Sequence, residues 1–187
     1  MRDEPLLDAF RGSAGIIRII GHRGARGLFP ENSMVGFENI LKMGVTLIEL
    51  DVVFSKDKTP IITHNHNINP FTCRDVDGEF VNENIKVSSL TVEQIKNYEI
   101  GRLDLGSDYG KRFPEQAQLD DIYMPTLQEL FEKMQQPDFE QMRLMVEIKS
   151  EPNYSSQDRE NIASIVTKQV RDANLANNGL LHSSDWL

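Results

Sequence analysis

Two acidic residues and two histidines lie within one short stretch, "IELDVVFSKDKTPIITHNHN", residues 48–67. Glu49 and Asp51 are two positions apart, so their side chains point to the same face if the segment is a strand. Two carboxylates on one face of a buried strand are costly unless cations pair with them or a metal binds them. The stretch therefore predicts either a salt-bridge pair or one wall of a metal site.

Other segments end in residues that suit the same site. His22 and Arg23 directly follow the apolar "GIIRII", and Glu147 and Lys149 share one face of "RLMVEIK". Active sites of parallel α/β sheets lie at the carboxyl ends of the strands, where these side chains would meet. Three carboxylates favour a hard divalent cation, Mg²⁺ or Ca²⁺. A packing role for His22 and a simple Lys149–Glu147 ion pair are the plainer interpretations.

Strand and helix patterns alternate along the chain. The predicted strands are residues 15–20, 46–54, 60–64, 143–149 and 179–184. The predicted helices are residues 33–44 after a cap at Asn32 or Ser33, 88–100 with a cap at Ser89 or Thr91, 124–135 with a cap at Thr126, and 155–175. Alternating β and α segments predict an α/β fold with a parallel sheet. Because a (β/α)₈ barrel takes about 250 residues, the fold is either an open sheet or part of a barrel.

The turn "SKDKT" is too short for a parallel crossover, so the strands on either side of it form a hairpin. A turn centred near Asp57 would place His64 roughly opposite Leu50, between Glu49 and Asp51 along the strand. The register could slip by one residue, so the sequence leaves open which face of the sheet His64 points to. Residues 65–123 have a less regular pattern. We interpret His66 as loop surface, and Cys73 and His182 as structural or surface residues.

Composition limits the classes of function. The chain has 187 residues, which predicts a single domain, and its net charge of −9 argues against nucleic-acid binding. The lone cysteine fits a reducing compartment. No apolar run reaches the length of a membrane span, and the N-terminus does not resemble a signal peptide. We therefore expect a cytoplasmic protein without stable membrane insertion.

Residues 21–65, "GHRGARGLFPENSMVGFENILKMGVTLIELDVVFSKDKTPIITHN", resemble the N-terminal signature of the glycerophosphodiester phosphodiesterase family. The matching pieces are "HRG", "PEN", "ELDV" and the histidine after "PIIT". Further along, "LGSDYGKRFP", "MPTLQEL" and "VEIK" match in the same order. The resemblance implies a TIM-type (β/α)₈ barrel with a small inserted subdomain at residues 65–123. It also implies hydrolysis of glycerophosphodiesters to glycerol 3-phosphate and an alcohol.

The resemblance assigns roles to individual residues. It implies a divalent cation, Mg²⁺ or Ca²⁺, bound by Glu49, Asp51 and Glu147. It implies His22 and His64 as the general acid and base, and Arg23 and Lys149 as the residues that bind the substrate phosphate.

The sequence departs from the family pattern in two ways. Asn65 follows His64 where the family usually has aspartate, which removes a charge beside the proposed catalytic histidine. The family pattern also continues for roughly three more strands beyond residue 187, so we expect an incomplete barrel, with an open edge that a homo-oligomer could cover. The alternatives are a lysophospholipase-D-like phosphodiesterase of the same superfamily and a truncated, inactive or regulatory product.

Overall fold

A parallel sheet lies at the centre of the fold. The computed structural model describes residues 18–151 and 153–183. Its strands are β1 (Ile20–His22), β2 (Leu47–Phe54), β3 (Pro60–Ile62), β4 (Arg143–Ile148) and β5 (Gly179–His182). The parallel strands lie in the order β1-β2-β4-β5, and β3 pairs antiparallel with β2. This order is the one expected for successive strands of a parallel α/β fold.

The helices are α1 (Met34–Lys42), α2 (Val92–Ile95), α3 (Leu127–Met134) and α4 (Ser156–Asp172), and short 3₁₀ turns occupy Val87–Ser89, Gly110–Arg112 and Pro137–Phe139. Each α-helix begins after a hydroxyl side chain that accepts a backbone N–H of its first turn: Ser33, Thr91, Thr126 and Ser155. In the last three, an acidic or amide side chain also caps in return, so the starts of these helices are set locally.

Most predicted elements end within a few residues of their predicted bounds, and two differ in a way that the pairing of segments explains. The first strand begins at Ile20, because its pairing partner β2 begins only at Leu47; residues 15–17 of the prediction lie outside the described residues. The helix predicted over residues 88–100 is a single turn, α2. The second half of the predicted helix does not form. There, Glu99 forms isolated antiparallel β-bridges with Arg74 and with Tyr123.

Alternation along β2 separates the core from the polar face of the sheet. The even-numbered residues Ile48, Leu50, Val52 and Phe54 are at most 1% exposed and pack in the main apolar cluster with helices α1, α3 and α4. Burying side chains of this size contributes roughly 1.5–3 kcal/mol each. The odd-numbered residues therefore point to the opposite face, which is where Glu49 and Asp51 lie.

The hairpin predicted from the short turn is present. Val52 pairs with Ile62, and Phe54 pairs with Pro60. The backbone N–H of Thr63 then donates to the carbonyl of Asp51 at 3.0 Å, which extends the same register beyond the strand. The pairing ends there, so the position of His64 opposite Leu50 stays a prediction.

A second apolar cluster lies in the irregular region between β3 and α3. It contains buried residues of that region together with two from the hairpin: Val53, Ile61, Ile68, Cys73, Val81, Val87, Ile95, Ile100 and Met124. That residues 65–123 are an inserted subdomain stays a prediction, although the segment does contribute most of a separate apolar cluster. None of the helices in the described part of the chain has the length and apolar character that crossing a membrane requires.

Candidate active site

Glu49 lies on the polar face of β2, directly opposite His22 of β1 in the parallel register. Its carboxylate accepts the backbone N–H of Arg23 at 3.0 Å, and His22 Nε2 lies 3.6 Å from the same oxygen. Burial raises the pKa of Glu49 to about 7, and the neighbouring charge of Asp51 adds to the rise, while the Arg23 N–H opposes it. Near neutral pH, this carboxyl group is therefore poorly compensated as an anion.

Asp51 is in a different position, because it is 1% exposed and surrounded by donors. Lys149 Nζ lies 3.1 Å from one of its oxygens. The other oxygen accepts Asn32 Nδ2 at 3.2 Å and lies 3.4 Å from Arg23 Nε. A buried carboxylate is tolerated when it is paired and hydrogen-bonded in this way. The structure thus compensates the charge of Asp51 with side chains of the chain itself.

Lys149 joins two of the three predicted metal ligands. Its Nζ lies 2.8 Å from Glu147, in addition to its contact with Asp51. Burial alone would lower the pKa of Lys149, but the hydrogen bond to Glu147 and the charge of Asp51 together raise it, so the side chain is a cation. The simple Lys149–Glu147 pair considered from the sequence is therefore part of a larger network.

Arg23 is held by carboxylates on two sides. Its backbone has a φ of 53°, in the turn that follows β1, and the next residue, Gly24, also has a positive φ of 78°. Arg23 Nη1 donates to Glu31 at 3.1 Å, and the hydroxyl of Tyr109 donates to the other oxygen of Glu31. Burial raises the pKa of Tyr109 to about 12, with the charge of Glu31 contributing. The irregular region thus reaches the site through Tyr109.

The contacts of Glu31, Asn32 and Tyr109 were not predicted from the sequence. All three lie in segments that carried the resemblance, "PEN" and "LGSDYGKRFP", but their spacing along the chain does not show which charged residue they would contact. A partner 78 residues away, as between Tyr109 and Glu31, becomes visible only when the chain is folded.

His64 lies at a cavity of about 610 Å³. Lys149 borders the same cavity, and the remaining lining comes mostly from residues 65–84. The ring Nδ1 of His64 is 2.7 Å from the amide oxygen of Asn65. His64 is therefore oriented by the very residue that replaces the aspartate usual in the family.

His22 borders another cleft, of about 320 Å³, which is formed mainly by the turn after β1 and Phe113. Its side chain is 54% exposed. Burial of the ring and the charges of Arg26 and Arg23 lower its pKa. The structure thus brings His22 to Glu49, and His64 to Lys149, without lining a single cavity with both histidines.

The side chains that face one another closely enough to share a cation are Glu49, Glu147 and His182. Each offers one ligand atom, and the three atoms lie within 4.8 Å of one another. In the register of the sheet, Glu147 is opposite both Asp51 on β2 and His182 on β5. Two carboxylates and an imidazole are a donor set that fits a divalent ion. Of the three predicted metal ligands, two belong to this group, while Asp51 is occupied by Lys149, Arg23 and Asn32.

Comparison with known proteins gives the family. A model of the glycerophosphoryl diester phosphodiesterase family matches residues 22–185. A glycerophosphodiester phosphodiesterase from Caldanaerobacter subterraneus subsp. tengcongensis is 32% identical over 132 residues, which are 71% of this chain and 45% of that protein. Human lysophospholipase D GDPD1 is 30% identical over 115 residues, 60% of this chain and 32% of that protein. The chain thus spans less than half the length of these relatives.

The solved structures give the same result for the fold. A protein from Silicibacter pomeroyi DSS-3, assigned as a glycerophosphoryl diester phosphodiesterase, superposes with a TM-score of 0.92 at 36% identity. The superposition covers 97% of this chain and 62% of that one. The predicted fold class is confirmed: the described strands are part of a TIM-type barrel.

Proposed function

Because the chain belongs to the glycerophosphoryl diester phosphodiesterase family, we propose that it hydrolyses glycerophosphodiesters to glycerol 3-phosphate and an alcohol, with the help of a divalent cation. The observation that carries this proposal is the polar face of the sheet. There, Glu49 and Glu147 lie close enough to share an ion, beside the cation Lys149. The family match supports the type of reaction, and the side chains on the polar face are the groups that would carry it out.

Lys149 has the position needed to bind the phosphodiester. It lies between two carboxylates and also borders the 610 Å³ cavity, so its ammonium group can contact a phosphoryl oxygen that enters there. Arg23 is the second proposed phosphate ligand. Its guanidinium is held at the base of the site by Glu31 and Asp51, which fixes its orientation before substrate binds.

His22 and His64 are the proposed groups for proton transfer. Hydrolysis requires that a proton leave the attacking water and that another reach the oxygen of the departing alcohol. His22 Nε2 lies 3.6 Å from Glu49, and His64 lines the cavity that Lys149 also borders. In this proposal, one ring acts as the acid and the other as the base, on different oxygens of the phosphodiester.

The proposed metal ligands are Glu49, Asp51 and Glu147, and the ion they would hold is Mg²⁺ or Ca²⁺. When bound, such an ion polarises a phosphoryl oxygen as a Lewis acid. The raised pKa of Glu49 supports this assignment, because a partly buried carboxyl group that is poorly compensated as an anion gains most from a nearby cation.

The test is release of glycerol 3-phosphate from glycerophosphocholine, followed by coupled oxidation of the product. We expect release with Mg²⁺ or Ca²⁺, none with EDTA, and background rates for Glu49→Gln. The matched control is Glu160→Gln, because Glu160 is exposed on α4, away from the site. Activity that survives Glu49→Gln, or that is indifferent to EDTA, contradicts the proposal.

A second candidate is a lysophospholipase-D-like activity, favoured by the similarity to human lysophospholipase D GDPD1. Both reactions cleave a phosphodiester, and they differ in whether an acyl chain is present on the glycerol. Comparing kcat/KM for lysophosphatidylcholine and glycerophosphocholine separates them. A clear preference for the acylated substrate would favour this second candidate.

Three expectations about the whole protein stay predictions. A cytoplasmic location is supported by the single cysteine, Cys73. A homo-oligomer that covers the sheet edges is supported by three exposed apolar residues: Ile19 just before β1, Ile20 at its start, and Leu181 on β5. The third expectation is that the chain is an inactive or regulatory product. A folded, active monomer would exclude it. Light scattering and the activity assay on the same sample test the last two together.

A further inference from the structure

His182 has the properties of a metal ligand although the sequence suggested a structural or surface role. It is the last residue of β5, paired in register with Glu147. Its ring Nε2 is inaccessible to solvent, and among residues 18–151 and 153–183 it has no hydrogen-bond partner. A buried imidazole nitrogen without a partner is costly, and bound metal is one of the few things that satisfies it.

The surroundings of His182 supply the rest of a coordination shell. One ligand atom from each of Glu49, Glu147 and His182 lies within 4.8 Å of the other two, so small side-chain shifts would bring all three into contact with one ion. The three residues come from β2, β4 and β5, so rigid paired backbone positions them. Lys149 contacts both Glu147, at 2.8 Å, and Asp51, at 3.1 Å, and Asp51 also accepts a hydrogen bond from Asn32.

The donor types determine which ions such a site prefers. Mg²⁺ and Ca²⁺ are hard cations that prefer oxygen ligands. An imidazole nitrogen favours first-row transition ions, and affinity for a mixed oxygen and nitrogen site rises from Mn²⁺ to Co²⁺. Replacing one oxygen by the His182 nitrogen should therefore move the selectivity of the site away from Mg²⁺ and Ca²⁺.

We propose that His182 is a direct nitrogen ligand of the divalent cation, together with Glu49 and Glu147, and that it makes the site selective for transition ions such as Co²⁺ and Mn²⁺ over Mg²⁺. The inference rests on the proposed function for the presence of a cation at this face. It places His182 in the ligand position that the proposed function gives to Asp51, and it changes the preferred ion from Mg²⁺ or Ca²⁺ to a transition ion.

The experiment measures metal binding to the full 187-residue chain without substrate. Isothermal titration with Co²⁺, Mn²⁺ and Mg²⁺ is run on the wild type, His182→Gln and His66→Gln. His66 is the matched control. Its ring also has a buried nitrogen without a partner in the described part of the chain, but His66 lines the 610 Å³ cavity and is not one of the three grouped ligands. We expect His182→Gln to lose at least about tenfold in Co²⁺ affinity, with Mg²⁺ affinity little changed and His66→Gln unchanged throughout.

A second measurement keeps the inference testable if His182→Gln does not fold. Addition of Zn²⁺ to wild-type protein labelled with ¹⁵N on its histidines should shift the Nε2 resonance of His182 and leave that of His66 in place. An unshifted His182 resonance, equal Co²⁺ affinity in His182→Gln and wild type, or a folded chain that binds none of these ions overturns the proposal.

The outcome for His182 is distinguishable from the outcome for the proposed function. If wild type hydrolyses glycerophosphocholine with Mg²⁺ while the Nε2 resonance of His182 does not shift on addition of Zn²⁺, the ligand assignment is wrong and the proposed function stands. If Co²⁺ binds through His182 but no glycerol 3-phosphate is released with any ion, the ligand assignment stands and the function is wrong.

Discussion

Replacing Glu49 by glutamine should stabilise the metal-free protein at alkaline pH. Glutamine has the same shape and can still accept the backbone N–H of Arg23, but it cannot ionise. The Glu49 side chain is only 13% exposed. Its pKa of about 7 in the folded state compares with an ordinary value of 4.5, a difference that corresponds to about 3 kcal/mol in the free energy of unfolding.

The sign follows from proton uptake. Between pH 4.5 and about 7, the folded state binds more protons at Glu49 than the unfolded state does. The contribution of Glu49 to the free energy of unfolding is therefore fully present below pH 4.5 and is lost as the pH rises through 7. At pH 8 in EDTA, we expect Glu49→Gln to be more stable than wild type by about 3 kcal/mol. By pH 5, the difference should shrink by about 2–3 kcal/mol, because wild type is then largely protonated in the folded state.

Urea denaturation of both proteins at pH 5, 6, 7 and 8, with EDTA throughout, measures this difference. The titration of all other groups cancels in the difference between Glu49→Gln and wild type. Glu160→Gln is the control, because it deletes an exposed carboxylate and should match wild type at every pH. Saturating metal should reverse the order at pH 8, because only wild type gains the full binding energy. A Glu49→Gln protein that is less stable than wild type at pH 8 in EDTA, or a difference that does not vary with pH, would refute the reasoning.

Three further substitutions test other parts of the structure. Lys149→Met leaves a buried carboxylate without its main cation and should cost about 3 kcal/mol in urea denaturation, whereas Lys168→Met, in an exposed pair, should cost under about 1 kcal/mol. Thr126→Ala removes the hydroxyl cap of α3 and should cost about 1 kcal/mol, most of which serine should restore. Asn65→Asp gives His64 a charge-assisted hydrogen bond and should raise kcat for glycerophosphocholine several-fold; an unchanged or lower kcat would mean that Asn65 does not limit the reaction.

The parts of the fold that the sequence predicts well are set by local rules. The alternation of β2 places Glu49 and Asp51 on one face whatever the rest of the chain does, and the length of the turn after it allows only a hairpin. The starts of the helices are equally local, as the Thr126 cap shows. For these elements, the residues that decide the structure are neighbours in the chain.

The parts that escape prediction depend on partners distant in the chain. The second half of the helix predicted over residues 88–100 has a helical pattern, but in the structure Glu99 forms bridges to Arg74 and Tyr123 instead. His182 looked unimportant because nothing near it in sequence suggests a ligand. Only the register of β5 against β4 shows that it stands opposite Glu147.

The distribution of charge along the polar face argues for a cation at one end of it. Asp51 has a lysine, an arginine and an asparagine against it, so its negative charge is compensated by the chain itself. Glu49, two residues earlier on the same face, has one backbone N–H and a half-exposed histidine, and its raised pKa records that shortage. A purely structural role does not explain why the partly buried Glu49 is so much less compensated than Asp51. A divalent ion between Glu49 and Glu147 would compensate the poorly paired carboxylate without disturbing the well-paired one.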